Sequence, residues 1–139
     1  MDSSHAILYY IQHLAVLTHR QSDQVLQDQL GIGMSQYRIL KVLQTNPSVQ
    51  QKQIALLLGQ TEASISRQVK LMQERSLLSA QVNPANKREH VTMLQPKGQQ
   101  VLESGAQILS QYHRPSLGVL SPDEQTVLLK MLSKLAAVA

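Results

Sequence analysis

The chain has 139 residues, the size of one ordinary domain, and with no Cys it must fold without disulfides or thiolate metal clusters. It has no Phe, no Trp and four Tyr, so its core must be aliphatic, and a surface that stacks single-stranded nucleic acid on aromatic rings is disfavoured. No apolar run is long enough to cross a bilayer and the first residues lack the basic flank of a signal peptide, so a soluble, cytoplasmic chain with no membrane partner is expected.

The formal net charge of +4 is modest, but it is localised. From Lys52 to Lys97 the basic residues are Lys52, Arg67, Lys70, Arg75, Lys87, Arg88 and Lys97, against Glu62, Glu74 and Glu89. Elsewhere six basic and six acidic residues cancel. A positive middle between neutral ends is the footprint of a nucleic-acid surface.

In chain order, residues 5–29 carry apolar side chains at 7, 10, 11, 14 and 17, the spacing of a helix face. Ala6, Leu8, Tyr9, Ala15 and Val16 occupy the other sides. A helix apolar nearly all round needs cover on more than one side, which predicts burial by a second chain. Gly31-Ile32-Gly33 ends it, and Ser35 is placed to cap a second helix to about Thr45. Asn46-Pro47-Ser48 breaks the chain. A short third helix, about 51–58, closes at Gly59, and Thr61 is placed to cap a fourth that runs to about Arg75. Two helices with so tight a connection make a helix-turn-helix candidate, in which Ala55, Gly59 and Ile65 sit where the helices touch.

After Ser76 the period changes. Leu78, Ala80 and Val82 alternate with polar residues, and a second strand is expected around 90–94, separated by the turn-rich Asn83-Pro84-Ala85-Asn86-Lys87-Arg88. This reads as a β-hairpin with a basic tip. Pro96 suits the first turn of a fifth helix, which Pro115 is expected to bend or end. Ser121-Pro122-Asp123-Glu124 announces a sixth through a cap, a proline at the first helical position and a capping-box acid.

At about 100° per residue, the fourth helix gathers Thr61, Ile65, Val69 and Met72 on one face and Ala63, Ser64, Arg67, Lys70, Leu71 and Glu74 on the other. An outward face of small and basic residues fits a major groove, where Arg67 would reach a base edge or a phosphate. A solvated helix face looks equally polar. The basic hairpin that follows, whose Lys87 and Arg88 suit a minor groove, favours the DNA reading. Glu62 in the first turn is expected to serve the helix dipole.

The block from Val49 to Gly98 resembles the MarR family of bacterial transcription regulators. The resemblance rests on Thr61-Glu62-Ala63-Ser64-Ile65-Ser66-Arg67-Gln68-Val69, on Leu77-Leu78, on the wing 83–88 and on the exit Leu94-Gln95-Pro96-Lys97-Gly98. Where family members typically carry Asp-Pro-Arg-Asp-x-Arg and Leu-Thr-Pro-x-Gly, this chain has Asn83, Ala85, Asn86 and Gln95 in place of the two acids, the first Arg and the Thr. The resemblance implies a mainly α fold with a small β-hairpin wing, a winged helix-turn-helix over residues 34–98. It further implies a single domain over 1–139, with dimerisation helices in 1–33 and 99–139. The implied function is a homodimer that binds double-stranded DNA at a palindromic operator, as a repressor released by a small-molecule effector. By position, Ser64, Ser66, Arg67 and Arg88 inherit the DNA-contact roles, and Thr61, Lys70 and Lys87 complete the expected set of DNA contacts. Tyr9, His13, Tyr37, Arg38 and His113 are candidates around a small anionic or aromatic ligand, although the same residues would also serve to seal the core and the dimer seam.

Other functions have less support. A winged-helix protein-interaction module without DNA binding is the alternative, and the exposed cations argue against it. An enzyme is not expected, since there is no Gly-rich phosphate loop, no His-Glu-x-x-His segment and no nucleophile with a recognisable partner. No cofactor is expected, and the five His show no i, i+3 or i, i+4 pair that would suggest a metal.

Overall fold

A computed structural model describes residues 2–139, apart from the side chains of 87–90. The chain runs α1 (Ser3–Leu30), α2 (Met34–Thr45), β1 (Val49–Gln50), α3 (Gln51–Leu58), α4 (Glu62–Glu74), β2 (Leu78–Asn83), β3 (Asn86–Leu94), α5 (Pro96–Leu117) and α6 (Pro122–Ala136). It is mainly helical, with one small antiparallel sheet of order β1-β3-β2.

Several boundaries follow from local chemistry. Asp2 caps α1 through its carboxylate on the Ser4 amide. Thr61 caps α4, and at α6 Ser121 and Glu124 form the full capping box, each accepting from the other's backbone N–H. Pro96 opens α5. Pro115 lies inside α5, which continues to Leu117 before Gly118 caps it, so the proline neither ends the helix nor stands at its last residue.

One expected cap is wrong. The N-cap residue of α2 is Gly33, not Ser35, and the acceptor comes from elsewhere: Oδ1 of Asp23, on α1, receives the Met34 N–H at 2.7 Å. A carboxylate at a helix start satisfies an orphan donor and meets the positive end of the dipole. The sheet also has a strand that the sequence pattern did not announce. β1 is two residues long and exists through its pairing with β3, Val49 with Thr92 and Gln50 with Val91. β2 and β3 pair from Leu78↔Leu94 to Val82↔His90, and the register shifts between Val82 and Asn83 at the hairpin end.

The core lies in the middle of the chain. Ile39, Leu40 and Leu43 of α2, Ile54 of α3, Ile65, Val69 and Met72 of α4, and Leu77 and Leu78 are almost fully buried. Full burial of an aliphatic side chain contributes about 1.5–3 kcal/mol, so this cluster is what orders the helix-turn-helix and the sheet together. Leu26 of α1 and Leu102 of α5 join the same cluster. Where α5 leaves the sheet, Gly98 is required by space: a Cβ there would lie 2.0 Å from the Leu77 carbonyl oxygen. α5 packs along α1 and α2, and Ser22 and His113 join α1 to α5 at 2.9 Å between Oγ and Nε2.

The ends differ sharply from the middle. The first half of α1 leaves Ile7, Leu8, Tyr9, Tyr10, Ile11, Leu14 and Val16 exposed, and α6 has no buried residue at all. Among the described residues no helix is long and apolar enough to cross a membrane.

Candidate nucleic-acid interface

The site is built by α3, a turn and α4. α3 ends at Gly59, whose φ of 64° is a left-handed conformation that costs a side-chain-bearing residue about 1–2 kcal/mol. The reversal is closed by the Gln60 N–H on the Ala55 carbonyl at 3.0 Å. Ala55 is buried, as a small residue at the crossing of two helices should be, and Ile65 anchors α4 beneath it. These are the three positions that the sequence pattern had placed at the contact.

With Ile65, Val69 and Met72 turned inward, α4 exposes Glu62, Ala63, Ser66, Arg67, Lys70, Leu71 and Glu74. Ser66, Arg67 and Lys70 therefore share an accessible face. Among the described residues neither cation has an internal partner, so both are available to an anion outside the chain. Thr61 is exposed and not on the inward face expected of it, because its hydroxyl is engaged as the cap, accepting from the Ser64 amide at 3.1 Å. Ser64 is half-buried and donates to Oε1 of Gln60 at 3.2 Å. Thr61 and Ser64 thus shape the start of α4, and any contact they make outside the chain adds to that role. Glu62 stands in the first helical turn, exposed, where the dipole favours an acid.

The hairpin β2–β3 adjoins α4 through β2. Its tip is organised by Asn83, whose Oδ1 accepts from the Ala85 N–H at 3.0 Å, closing a side-chain turn. Lys87 and Arg88 belong to β3 by backbone, and the expectation for their side chains lies outside the described residues.

Two polar links were not legible from the sequence. Gln36 of α2 donates to Gln68 of α4 at 3.0 Å, and Arg75 at the end of α4 reaches the end of α1. Neither has a local signal, because the partners lie 32 and about 45 positions apart.

The five effector candidates do not gather at one place in the single chain. Tyr37 is buried against Gly105 of α5 and Leu26, and burial pushes its phenol pKa up. Arg38 is half-buried on α2. His113 is half-buried and held by Ser22, eight residues, or about 12 Å of helix, further along α5 than Gly105. Tyr9 and His13 stack on the exposed half of α1 with ring centres 5.8 Å apart. An open cleft of about 540 Å³ on α1 is lined instead by Ala15, Val16, His19, Arg20 and Asp23.

A helix-turn-helix closed by a three-stranded sheet and extended by a hairpin defines the winged-helix class. The MarR family model matches residues 30–89, the segment that contains α2, the helix-turn-helix and most of the wing. The chain is thus similar to the MarR family over the lobe by sequence, and it shares the winged-helix fold of solved MarR-type structures over nearly its whole length. The transcriptional regulator HosA of Escherichia coli O111:H- is 24% identical over 124 residues, covering 89% of this chain and 86% of that one. Among solved structures, a MarR crystal structure superposes with a TM-score of 0.83 at 17% identity, covering 91% of this chain and 88% of the other. The regulator BldR from Sulfolobus solfataricus gives 0.81 at 18% identity over the full length of both chains. A mutant MarR from E. coli complexed with operator DNA gives 0.70 at 17% identity, covering 96% of this chain and 99% of that one.

Proposed function

We propose that this chain regulates transcription as a homodimer that binds double-stranded DNA sequence-specifically at a palindromic operator. The observation that carries the reading is the exposed face of α4, where Ser66, Arg67 and Lys70 stand together, backed by the buried Ile65, Val69 and Met72 that fix their direction. The likeness to a regulator crystallised with operator DNA supports the same reading. In it, α4 enters the major groove, with Thr61, Ser64, Ser66, Arg67 and Lys70 at the DNA, while Lys87 and Arg88 of the wing approach the minor groove.

The homodimer is proposed from the ends of the chain. α6 carries Val127, Leu128, Leu129, Met131, Leu132 and Leu135 into solvent, as does the first half of α1 its own apolar residues. An exposed apolar surface of this extent on two helices calls for an apolar cover, and residues 1–33 and 99–139 of a second copy supply one. A two-fold axis then presents two lobes, residues 34–98, about 34–36 Å apart, one helical turn of DNA.

Repression is the proposed direction of control, because a dimer seated across a promoter blocks access to it. A reporter behind the operator should rise when the chain is deleted, and a fall would contradict repression. Release by a small anionic or aromatic ligand is proposed at Tyr9, His13, Tyr37, Arg38 and His113, brought together only once a second chain is added. The ligand must favour one lobe spacing over another to have any effect. Phenolic acids that leave operator affinity unchanged would rule this out.

The direct test is a gel-shift titration on duplexes recovered from genomic fragments. The native chain should bind with an affinity that falls steeply with salt, by a log–log slope of about −0.9 per neutralised phosphate. Arg67→Ala should cost about 1–3 kcal/mol and relax base preference. Arg88→Ala should reduce the slope by about one unit. A flat salt response, with Arg67→Ala unchanged, would instead favour the protein-interaction module.

A further inference from the structure

Arg75, the C-cap residue of α4, reaches out of the lobe to the end of α1. Its Nη1 donates to the Gly31 carbonyl at 2.7 Å and its Nη2 to the Leu30 carbonyl at 3.2 Å. These carbonyls lie at the C-terminal end of a 28-residue helix. Such groups have no partner within their own helix, and the aligned peptide dipoles make that end negative. A planar guanidinium with two N–H donors suits a pair of successive carbonyls, whereas an ammonium is only a point charge.

The same junction is gripped from the other side. Asp23, in the body of α1, takes the Met34 N–H at the start of α2 and the Gln27 side chain as well. Between the two grips Ile32 is 1% exposed. The short connection 31–33 is thereby held by an acid from α1, a base from α4 and a buried aliphatic side chain. The apolar packing of α4 goes mainly to α2, α3 and β2, all inside the lobe. Among the described residues, the Arg75 guanidinium is the hydrogen-bonded link that runs from α4 directly to α1.

We propose that Arg75 is a positioning residue: by tying the last turn of α4 to the end of α1, it fixes the angle of α4 to the helix whose first half is proposed to meet the second copy, and so sets the half-site spacing that the dimer accepts. The inference rests on the DNA-binding dimer reading above. Without the tie, each lobe keeps its own fold and its own contacts with a half-site, but swings more freely about the 31–33 connection. The cost then falls on the relation between the two lobes and not on either alone.

The test starts from duplexes that the native chain selects from a random-sequence pool. Each is rebuilt with one or two base pairs inserted or removed between the half-sites, every base pair turning the second half-site by about 35° and moving it about 3.4 Å. The native chain should discriminate between best and worst spacing by about 5- to 150-fold, the range usual for two coupled sites. Arg75→Gln should compress that ratio to about threefold or less, with dimer assembly, helix content and affinity for an isolated half-site unchanged. Arg75→Lys, which keeps the charge but loses the fork, should fall between them.

An Arg75→Gln spacing profile equal to the native one overturns the inference while leaving the DNA reading intact. Loss of folding in both variants also overturns it, since Arg75 would then be only a stabilising cap. Failure of the native chain to select any duplex removes the DNA reading and the inference with it.

Discussion

α4 and α6 are helices of similar length, 13 and 15 residues, and both are amphipathic, yet the chain treats them differently. α4 buries Ile65, Val69 and Met72 and shows solvent mostly polar and charged side chains. α6 buries nothing and leaves Val127, Leu128, Leu129, Met131, Leu132 and Leu135 exposed. The first is complete within one chain, and its outward face suits a charged partner. The second is complete only against another apolar surface. On the proposed function the contrast corresponds to two kinds of recognition: an electrostatic one in the lobe, screened by salt, and an apolar one at the ends, which salt does not screen.

Substitutions at the two sites should therefore fail in different ways. The largest effect is expected for Gly98→Ala. Its new Cβ meets the Leu77 backbone oxygen, which cannot move without pulling on β2 and the core. Overpacking typically costs about 1–3 kcal/mol and more where backbone is the obstacle, so urea unfolding should shift to a much lower midpoint. Leu132→Glu on α6 should instead leave the circular dichroism spectrum of the lobe intact and weaken self-association by about 2 kcal/mol or more, roughly 30-fold. Each substitution occurs twice in a symmetric pair. If sedimentation shows no change in association, α6 does not form the interface.

Smaller changes within the lobe should raise stability without touching association. The Thr92 hydroxyl is fully buried in β3 and, among the described residues, has no hydrogen-bond partner. Thr92→Val keeps the shape and removes the orphaned group, which costs about 1–3 kcal/mol when left unsatisfied. A thermal midpoint that fails to rise would mean the hydroxyl is satisfied in solution. The smallest gain is expected at Ser76, which follows α4 with φ at 61°. Ser76→Gly relieves a left-handed conformation, offset in part by the greater freedom of the unfolded chain, for a net of about 0.5 kcal/mol. Differential scanning calorimetry should resolve the direction.

Much of this arrangement was legible in the sequence because its signals are local. Thr61 caps α4, Ser121 and Glu124 box the start of α6, and Gly59 closes α3, each within four residues of what it controls. The inward triplet Ile65, Val69 and Met72 follows from helical period alone. What the sequence hid is what depends on distant parts of the chain. Ser35 looked like the cap of α2, but the carboxylate that does the work comes from Asp23, 11 positions before the Met34 amide it accepts from and brought there by the turn at 31–33. β1 is too short to show any pattern and is a strand only because Thr92 and Val91 lie beside it. β3 starts at Asn86, well before the expected 90, since the hairpin extends pairing through residues whose types favour a turn. The polar ties of Gln36 to Gln68 and of Arg75 to Leu30 and Gly31 carry no motif. At the site itself, the cations of α4 follow from charge and period and the Thr61 cap from local pattern, whereas the donation of the Ser64 hydroxyl to Gln60 has no such signal.

The most direct measurement of the central idea is the sedimentation of the native chain with a labelled palindromic duplex, compared with the same duplex carrying only one half-site. Two chains should bind the full site together, with no one-chain species accumulating, and binding to the half-site should be much weaker. A folded single copy that occupies one half-site as tightly as the palindrome would contradict the account.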